Sequence, residues 1–279
     1  MSRSSHRFTI MCMKDYLSVI HVTTNPDPSI VSSVQASLQR FGAFRLVAPQ
    51  LTGNLSQRVF QNAPGFFQLP IETKTKTKGY SAFDTELILG KTAIPKESIY
   101  FFRKGGDDST SPPPDLEDAI KAFHNEWTNI RKELFGTVST ILDSAEPLIG
   151  TPTLDYDSVG LNFYDSGKLS LDRDYFNPAH KDSGTLTILV RSSEACDGLE
   201  IADLRSTEKI DSEAIGREAN FIPVPAVAGE VIVLAGTRLQ RLLGKAKVRA
   251  CVHRVCRPTQ GSDKHQRLSL TIFCAPPMK

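Results

Sequence analysis

Apolar residues recur at intervals of three and four along Leu116, Ile120, Phe123, Trp127, Ile130, Leu134, Val138 and Ile141, which gathers them on one stripe of an α-helix. Asp115, following Pro112, Pro113 and Pro114, is a suitable N-cap, so a long helix starting at residue 115 is predicted to pack one face on a core. A second helix is predicted over residues 29–40, with Ile30, Val34 and Leu38 four apart. Elsewhere the period falls to two. In Arg267-Leu268-Ser269-Leu270-Thr271-Ile272-Phe273, Arg267, Ser269 and Thr271 share one strand face and Leu268, Leu270 and Ile272 the other. Leu161-Asn162-Phe163-Tyr164 alternates likewise, and residues 16–22 and 252–255 read as further strands. Residues 1–150 are expected to form a helical or mixed region packed on a β-rich core at 151–279, the two making one structural unit. Polar runs at 105–114 and 206–218 mark loops.

Composition narrows this picture. A chain of 279 residues with 40% hydrophobic content can bury a large core. Lys+Arg 33 against Asp+Glu 31 leaves it nearly neutral, and Lys74-Thr75-Lys76-Thr77-Lys78 is a short basic patch expected in a solvated loop or edge. Nucleic-acid binding calls for a broader basic footprint with stacking aromatics, and a membrane span for a longer apolar run. Neither a nucleic acid nor a membrane is therefore expected as a partner, and the oligomeric state is left open. Cys12, Cys196, Cys251, Cys256 and Cys274 are odd in number and lack zinc-knuckle spacing. Free thiols in a reducing compartment are expected, and the N-terminus makes a poor secretion signal, so a cytoplasmic location is favoured.

The candidate chemistry lies in His180-Lys181-Asp182, with His253 downstream. Two imidazoles and a carboxylate on one face of an octahedral ion leave the other face open, the arrangement of non-heme Fe(II) oxygenases. His-x-Asp alone is weak, since a solvated His and Asp on a loop have the same signature. The face carrying Arg267 and Ser269 strengthens it: a guanidinium turned into a barrel needs an anionic partner, and a dicarboxylate suits its fork. His6, His21 and His265 have no partner at metal spacing, and His124 and Trp127 fall on or near the helix stripe as core or boundary residues.

From Tyr156 to Pro276 the chain resembles the 2-oxoglutarate and Fe(II)-dependent oxygenases of the isopenicillin N synthase-like family. The matching segments run, in order, through Leu161-Asn162-Phe163-Tyr164, 180–189, Gly198-Leu199-Glu200-Ile201, 225–233, 239–242, 251–255 and Arg267-Leu268-Ser269. Weaker landmarks precede them at 41–44, 66–72, 78–81 and 97–102. The resemblance implies a mainly β fold with flanking helices around a double-stranded β-helix, or jelly-roll, core. It implies that His180, Asp182 and His253 are the iron ligands and catalytic centre. Arg267 and Ser269 would hold the C5 carboxylate of 2-oxoglutarate, with Tyr164 beside it and Asn162 nearer the iron.

Fe(II), 2-oxoglutarate and O2 are then the implied cofactor and co-substrates. The reaction would be hydroxylation, desaturation or ring rearrangement of a small metabolite, in secondary metabolism. Two departures stand out: Thr237 follows Gly236 where relatives usually have Asp, and the chain stops soon after Arg267, which would leave the mouth more open or differently closed. Residues 202–220 are the expected specificity element, and Gln240 could serve either substrate or a turn. The rivals are a 2-oxoglutarate-independent iron oxidase, a non-catalytic ligand-binding barrel and a zinc hydrolase.

Overall fold

This computed structural model describes residues 17–21, 27–88, 92–101, 111–143, 157–170, 172–192, 198–207, 214–257 and 266–274. In chain order the first half forms β1 (Val19–His21), α1 (Pro28–Arg40), β2 (Ala43–Val47), α2 (Pro49–Thr52), α3 (Asn54–Phe67), α4 (Ile71–Lys74), β3 (Tyr80–Ser81), β4 (Leu87–Ile88), β5 (Thr92–Ala93), β6 (Glu97–Phe101) and α5 (Pro114–Ile141). The second half forms β7 (Ser158–Asp165), β8 (Tyr175–His180), β9 (Leu186–Arg191), β10 (Leu199–Ala202), α6 (Ile215–Glu218), β11 (Phe221–Pro223), β12 (Glu230–Ala235), α7 (Thr237–Leu243), β13 (His253–Cys256) and β14 (Gln266–Cys274).

The strands with apolar residues on both phases find cover on both faces. β12, β9, β14 and β7 lie side by side in one sheet and β11, β10, β13 and β8 in a second, which is the double-stranded β-helix. Between the sheets, Tyr164, Leu189, Ile232 and Leu234 of the first pack with Phe176, Leu199, Ile201 and Val255 of the second. On the outer face of the larger sheet, Leu270 and Ile272 join Leu161, Ile188 and Val233 against Phe66 of α3 and Phe123, Trp127 and Leu134 of α5. The alternation along β14 therefore divides two cores.

The N-terminal half contributes sheet as well as helix. β1 and β2 extend the larger sheet beyond β12, while β6 and β3 extend it beyond β7. Two local expectations are corrected. The cap of helix α5 falls two residues earlier than expected, at Pro113 rather than Asp115, with Pro114 at its first position. Proline's fixed φ and missing N–H suit that position, and Asp115 lies in the first turn, where its charge complements the helix dipole. Lys74 is not solvated: it is buried, with its ammonium 2.5 Å from Glu97 Oε2 and 2.9 Å from the Phe67 carbonyl. Cys12, Cys196, His6, His265 and most of the 105–114 loop lie outside the described residues. Among the described residues Cys251, Cys256 and Cys274 are free thiols, and no helix is long and apolar enough to cross a membrane.

Candidate active site

His180 ends β8 and stands opposite His253 in the β13 register, so strand pairing alone brings the two imidazoles together, 4.2 Å between ring centroids. Asp182 follows in the turn to β9. Its Oδ1 is 3.6 Å from His180 Nε2 and its Oδ2 is 4.0 Å from His253 Nε2. One ligand atom from each of the three residues lies within 4.8 Å of the others.

The turn is held from outside. The backbone N–H groups of Thr237 and Arg238, at the start of α7, donate to the carbonyls of Asp182 and Gly184 at 2.8 and 3.1 Å. A Cβ on Gly236 would sit 2.1 Å from the Gly184 carbonyl oxygen, so glycine is required for this approach. Where relatives usually carry aspartate, Thr237 adds its hydroxyl, which donates to the Ser183 carbonyl at 3.5 Å.

Each candidate ligand is prepared for a cation. His180 Nδ1 lies 2.8 Å from the Pro178 carbonyl, which can only accept; Nδ1 therefore carries a proton, which leaves Nε2 as the ring nitrogen that can meet a metal. Burial, reinforced by His180, pushes the His253 pKa down and keeps that imidazole neutral, although Asp182 opposes the shift. Burial would raise the Asp182 pKa, but His253, His180 and a hydrogen bond from Thr187 outweigh it and hold the carboxylate ionised. Thr187 Oγ1 donates to Asp182 Oδ2 at 2.7 Å. Two imidazoles and a carboxylate fit one divalent ion with positions to spare.

A cavity between the two sheets is lined by all three residues and, on its larger-sheet wall, by Asn162, Tyr164, Arg267, Ser269, Thr271 and Phe273. Cross-strand pairing sets this wall: Arg267 stands opposite Tyr164 and Ser269 opposite Asn162. The Arg267 guanidinium lies over the Tyr164 ring, 4.7 Å from its centroid, and Nη1 is 3.5 Å from Ser269 Oγ. A buried guanidinium set between an aromatic ring and a hydroxyl fits a carboxylate. All seven site residues expected from the sequence thus reach one cavity. Phe273 lines it too, and Lys96 does so from the segment before β6.

Of the segment 202–220, the described residues 202–207 and 214–220 do not line the cavity. Ile215, Ala219 and Leu204 pack instead with Ala179 and Val252. Arg254, next to His253 but on the opposite strand face, ties this segment down: its guanidinium lies 3.8 Å from the Phe221 ring centroid, bonds Glu200 at 2.7 Å and donates to the Gly216 carbonyl at 3.0 Å. Gln240 serves a turn, its Oε1 accepting from the Ala250 N–H at 2.9 Å.

Residues 156–276 match the model of the 2OG-Fe(II) oxygenase superfamily. Among curated proteins, the chain is 24% identical over 267 residues to Jasmonate-induced oxygenase 4 of Arabidopsis thaliana, covering 89% of this chain and 69% of that one. It is 23% identical over 274 residues to Flavanone 3-dioxygenase 2 of Oryza sativa subsp. japonica, covering 93% and 73%. Among solved structures, it shares the fold of a 2OG-Fe(II) oxygenase family protein from Caulobacter crescentus, with a TM-score of 0.71, 21% identity and coverage of 93% of this chain and 86% of that one.

Proposed function

We propose that this chain, whose residues 156–276 match the 2OG-Fe(II) oxygenase superfamily model, binds Fe(II) through His180, Asp182 and His253 and 2-oxoglutarate through Arg267, Ser269, Tyr164 and Asn162, and that it oxidises a small-molecule metabolite. The observation that carries this reading is the meeting, in one cavity, of a three-donor set with ligand atoms within 4.8 Å and a buried arginine on the adjoining wall. When bound, ferrous iron with 2-oxoglutarate and O2 supplies the oxidation of a C–H bond, with release of succinate and CO2.

The residues of the chain do the rest. Arg267, with its fork fixed over Tyr164 and beside Ser269, grips the distal carboxylate and sets the length of ligand that spans to the donor set. Leu189, Leu199, Leu234, Val255 and Phe273 give the cavity apolar sides that exclude water and favour a compact metabolite. Flavanone 3-dioxygenase 2, a relative by name, supports a small-molecule substrate and a place in secondary metabolism. Free thiols at Cys251, Cys256 and Cys274 support a cytoplasmic location.

The test is anaerobic titration of the purified protein with Fe(II) and then 2-oxoglutarate, following the weak visible charge-transfer band of the chelate. We expect the band in the wild type and its loss in His180→Ala and Arg267→Ala. Tight iron without a band would overturn the 2-oxoglutarate assignment in favour of an iron oxidase that does not use it. Failure to hold iron would leave a non-catalytic binding barrel.

A further inference from the structure

Lys96 immediately precedes β6, whose Ser98 stands opposite Asn162 in the β7 register. Its side chain is buried and lines the cavity. The ammonium donates to Asn162 Oδ1 at 2.6 Å, and 2.9 Å away on another side it meets Glu86 Oε2. Tyr100 Oη at 3.1 Å and Ser98 Oγ at 3.3 Å complete its surroundings. Glu86 is held in turn by the hydroxyls of Tyr100, at 2.9 Å, and Ser98.

These contacts decide which way the Asn162 amide faces. An ammonium has hydrogens and no acceptor, so the amide must offer it oxygen; the flipped amide would set donor against donor in a buried place. With Oδ1 committed to Lys96, Nδ2 donates to Thr271 Oγ1 at 3.0 Å. The Thr271 hydroxyl, already an acceptor, keeps its own hydrogen to give, and Asn162 keeps its second N–H. Asn162, Thr271, Ser269 and Arg267 together line the cavity beside the candidate ligand set. Its polar wall is thereby biased toward hydrogen-bond donors.

We propose that Lys96 is a positioning residue: by fixing the Asn162 amide it turns the cavity wall into a donor surface, the polarity that an anionic 2-oxo acid requires. Lys96 acts through Asn162, and its charge is matched by Glu86. This inference rests on the function proposed above, in that 2-oxoglutarate is the acid received. The sequence motif that surrounds the candidate ligands does not contain Lys96; it reaches the site from the N-terminal half through the β6–β7 pairing.

The experiment is a double-mutant cycle on anaerobic 2-oxoglutarate binding to the full-length, Fe(II)-loaded protein, with wild type, Lys96→Met, Asn162→Ala and the double variant. A parallel set carries Glu86→Gln, so that no carboxylate is left buried without its cation. Metal affinity and thermal unfolding are measured for every variant. Each single substitution is expected to weaken 2-oxoglutarate binding by about ten-fold. The double variant should bind no more weakly than Asn162→Ala alone, with metal affinity retained throughout. Independent, multiplying losses would overturn the proposal, since Lys96 would then act without Asn162; unchanged binding in Lys96→Met would overturn it as well. A wild type that holds iron but no 2-oxoglutarate would fail at the first corner of the cycle, which separates failure of the functional reading from failure of the role given to Lys96.

Discussion

Thr187 donates its hydroxyl hydrogen to Asp182 Oδ2 at 2.7 Å, which leaves Oδ1 as the carboxylate oxygen without that bond. Groups that orient a ligand in this way commonly govern metal affinity by ten- to a hundred-fold. Thr187→Val keeps the shape of the side chain and removes the donor, and we expect it to weaken Fe(II) binding by about ten-fold in a competition titration against a chelator. Unchanged affinity would show that Asp182 needs no such partner. At this scale the candidate ligands were readable in advance because each is a residue type that metal chemistry demands, at a spacing that one turn and one strand pairing can bring together. Lys96 was not readable. It precedes Glu97, so adjacent charged residues occupy both phases of the strand, and alternation gives no sign which of them turns toward the cavity.

At the scale of elements, Glu97 shows where the other phase goes. Its carboxylate is buried and takes hydrogen bonds from Lys74 at the end of α4, from Tyr80 of β3 and from Lys168 in the β7–β8 connection. Burial would raise its pKa, but the hydrogen bonds from Lys168, Lys74 and Tyr80 outweigh it and hold the value below that of an ordinary glutamate. The unfolded chain therefore binds the proton more tightly than the fold does. This contribution to stability is complete above the unfolded glutamate value of roughly 4.3 and is lost as pH falls through the lower folded value. We expect Glu97→Gln to be less stable than the wild type by about 3 kcal/mol at pH 7 in urea unfolding, with the difference shrinking in acid. A pH-independent difference would assign the loss to packing alone.

A second buried clasp ties α5 to the start of β7, where Asp157 accepts from Trp127 Nε1 at 2.9 Å and from Arg131 Nε at 2.6 Å. Truncating one member of such a pair leaves an uncompensated buried charge, so Asp157→Ala should cost about 3–5 kcal/mol in the same assay. The apolar stripe of α5 was legible because it needs no knowledge of the partner. Neither clasp was, because their members are far apart in the chain and no local pattern links them. The same limit applies around the polar run at 206–218, whose polarity marked a loop but could not say that Leu204, Ile215 and Ala219 would pack with Ala179 and Val252, beside His180 and His253.

For the whole molecule, β1, β2, β3 and β6 from the N-terminal half share one sheet with β7, β9, β12 and β14. Disrupting either half exposes the edge of the other. Unfolding is therefore expected as one transition, with fluorescence of the buried Trp127 and far-ultraviolet circular dichroism changing together. Separate transitions would divide the chain into independent units. Fe(II) and 2-oxoglutarate at about 100 times their dissociation constants should each add about 2.7 kcal/mol through binding to the folded state, read as a rise in melting temperature under anaerobic conditions.

The β-rich core, the helix stripes and the candidate residues for iron and a dicarboxylate were legible along the chain, because side-chain chemistry and the periods of helix and strand are local properties. Tertiary contacts set which strands became neighbours, and with that the polarity of the cavity wall, the burial of Lys74 and Glu97 and the packing of Leu204, Ile215 and Ala219. These depend on pairings between residues distant in the chain, where the free energy of a contact rests on what arrives from elsewhere rather than on the residues beside it.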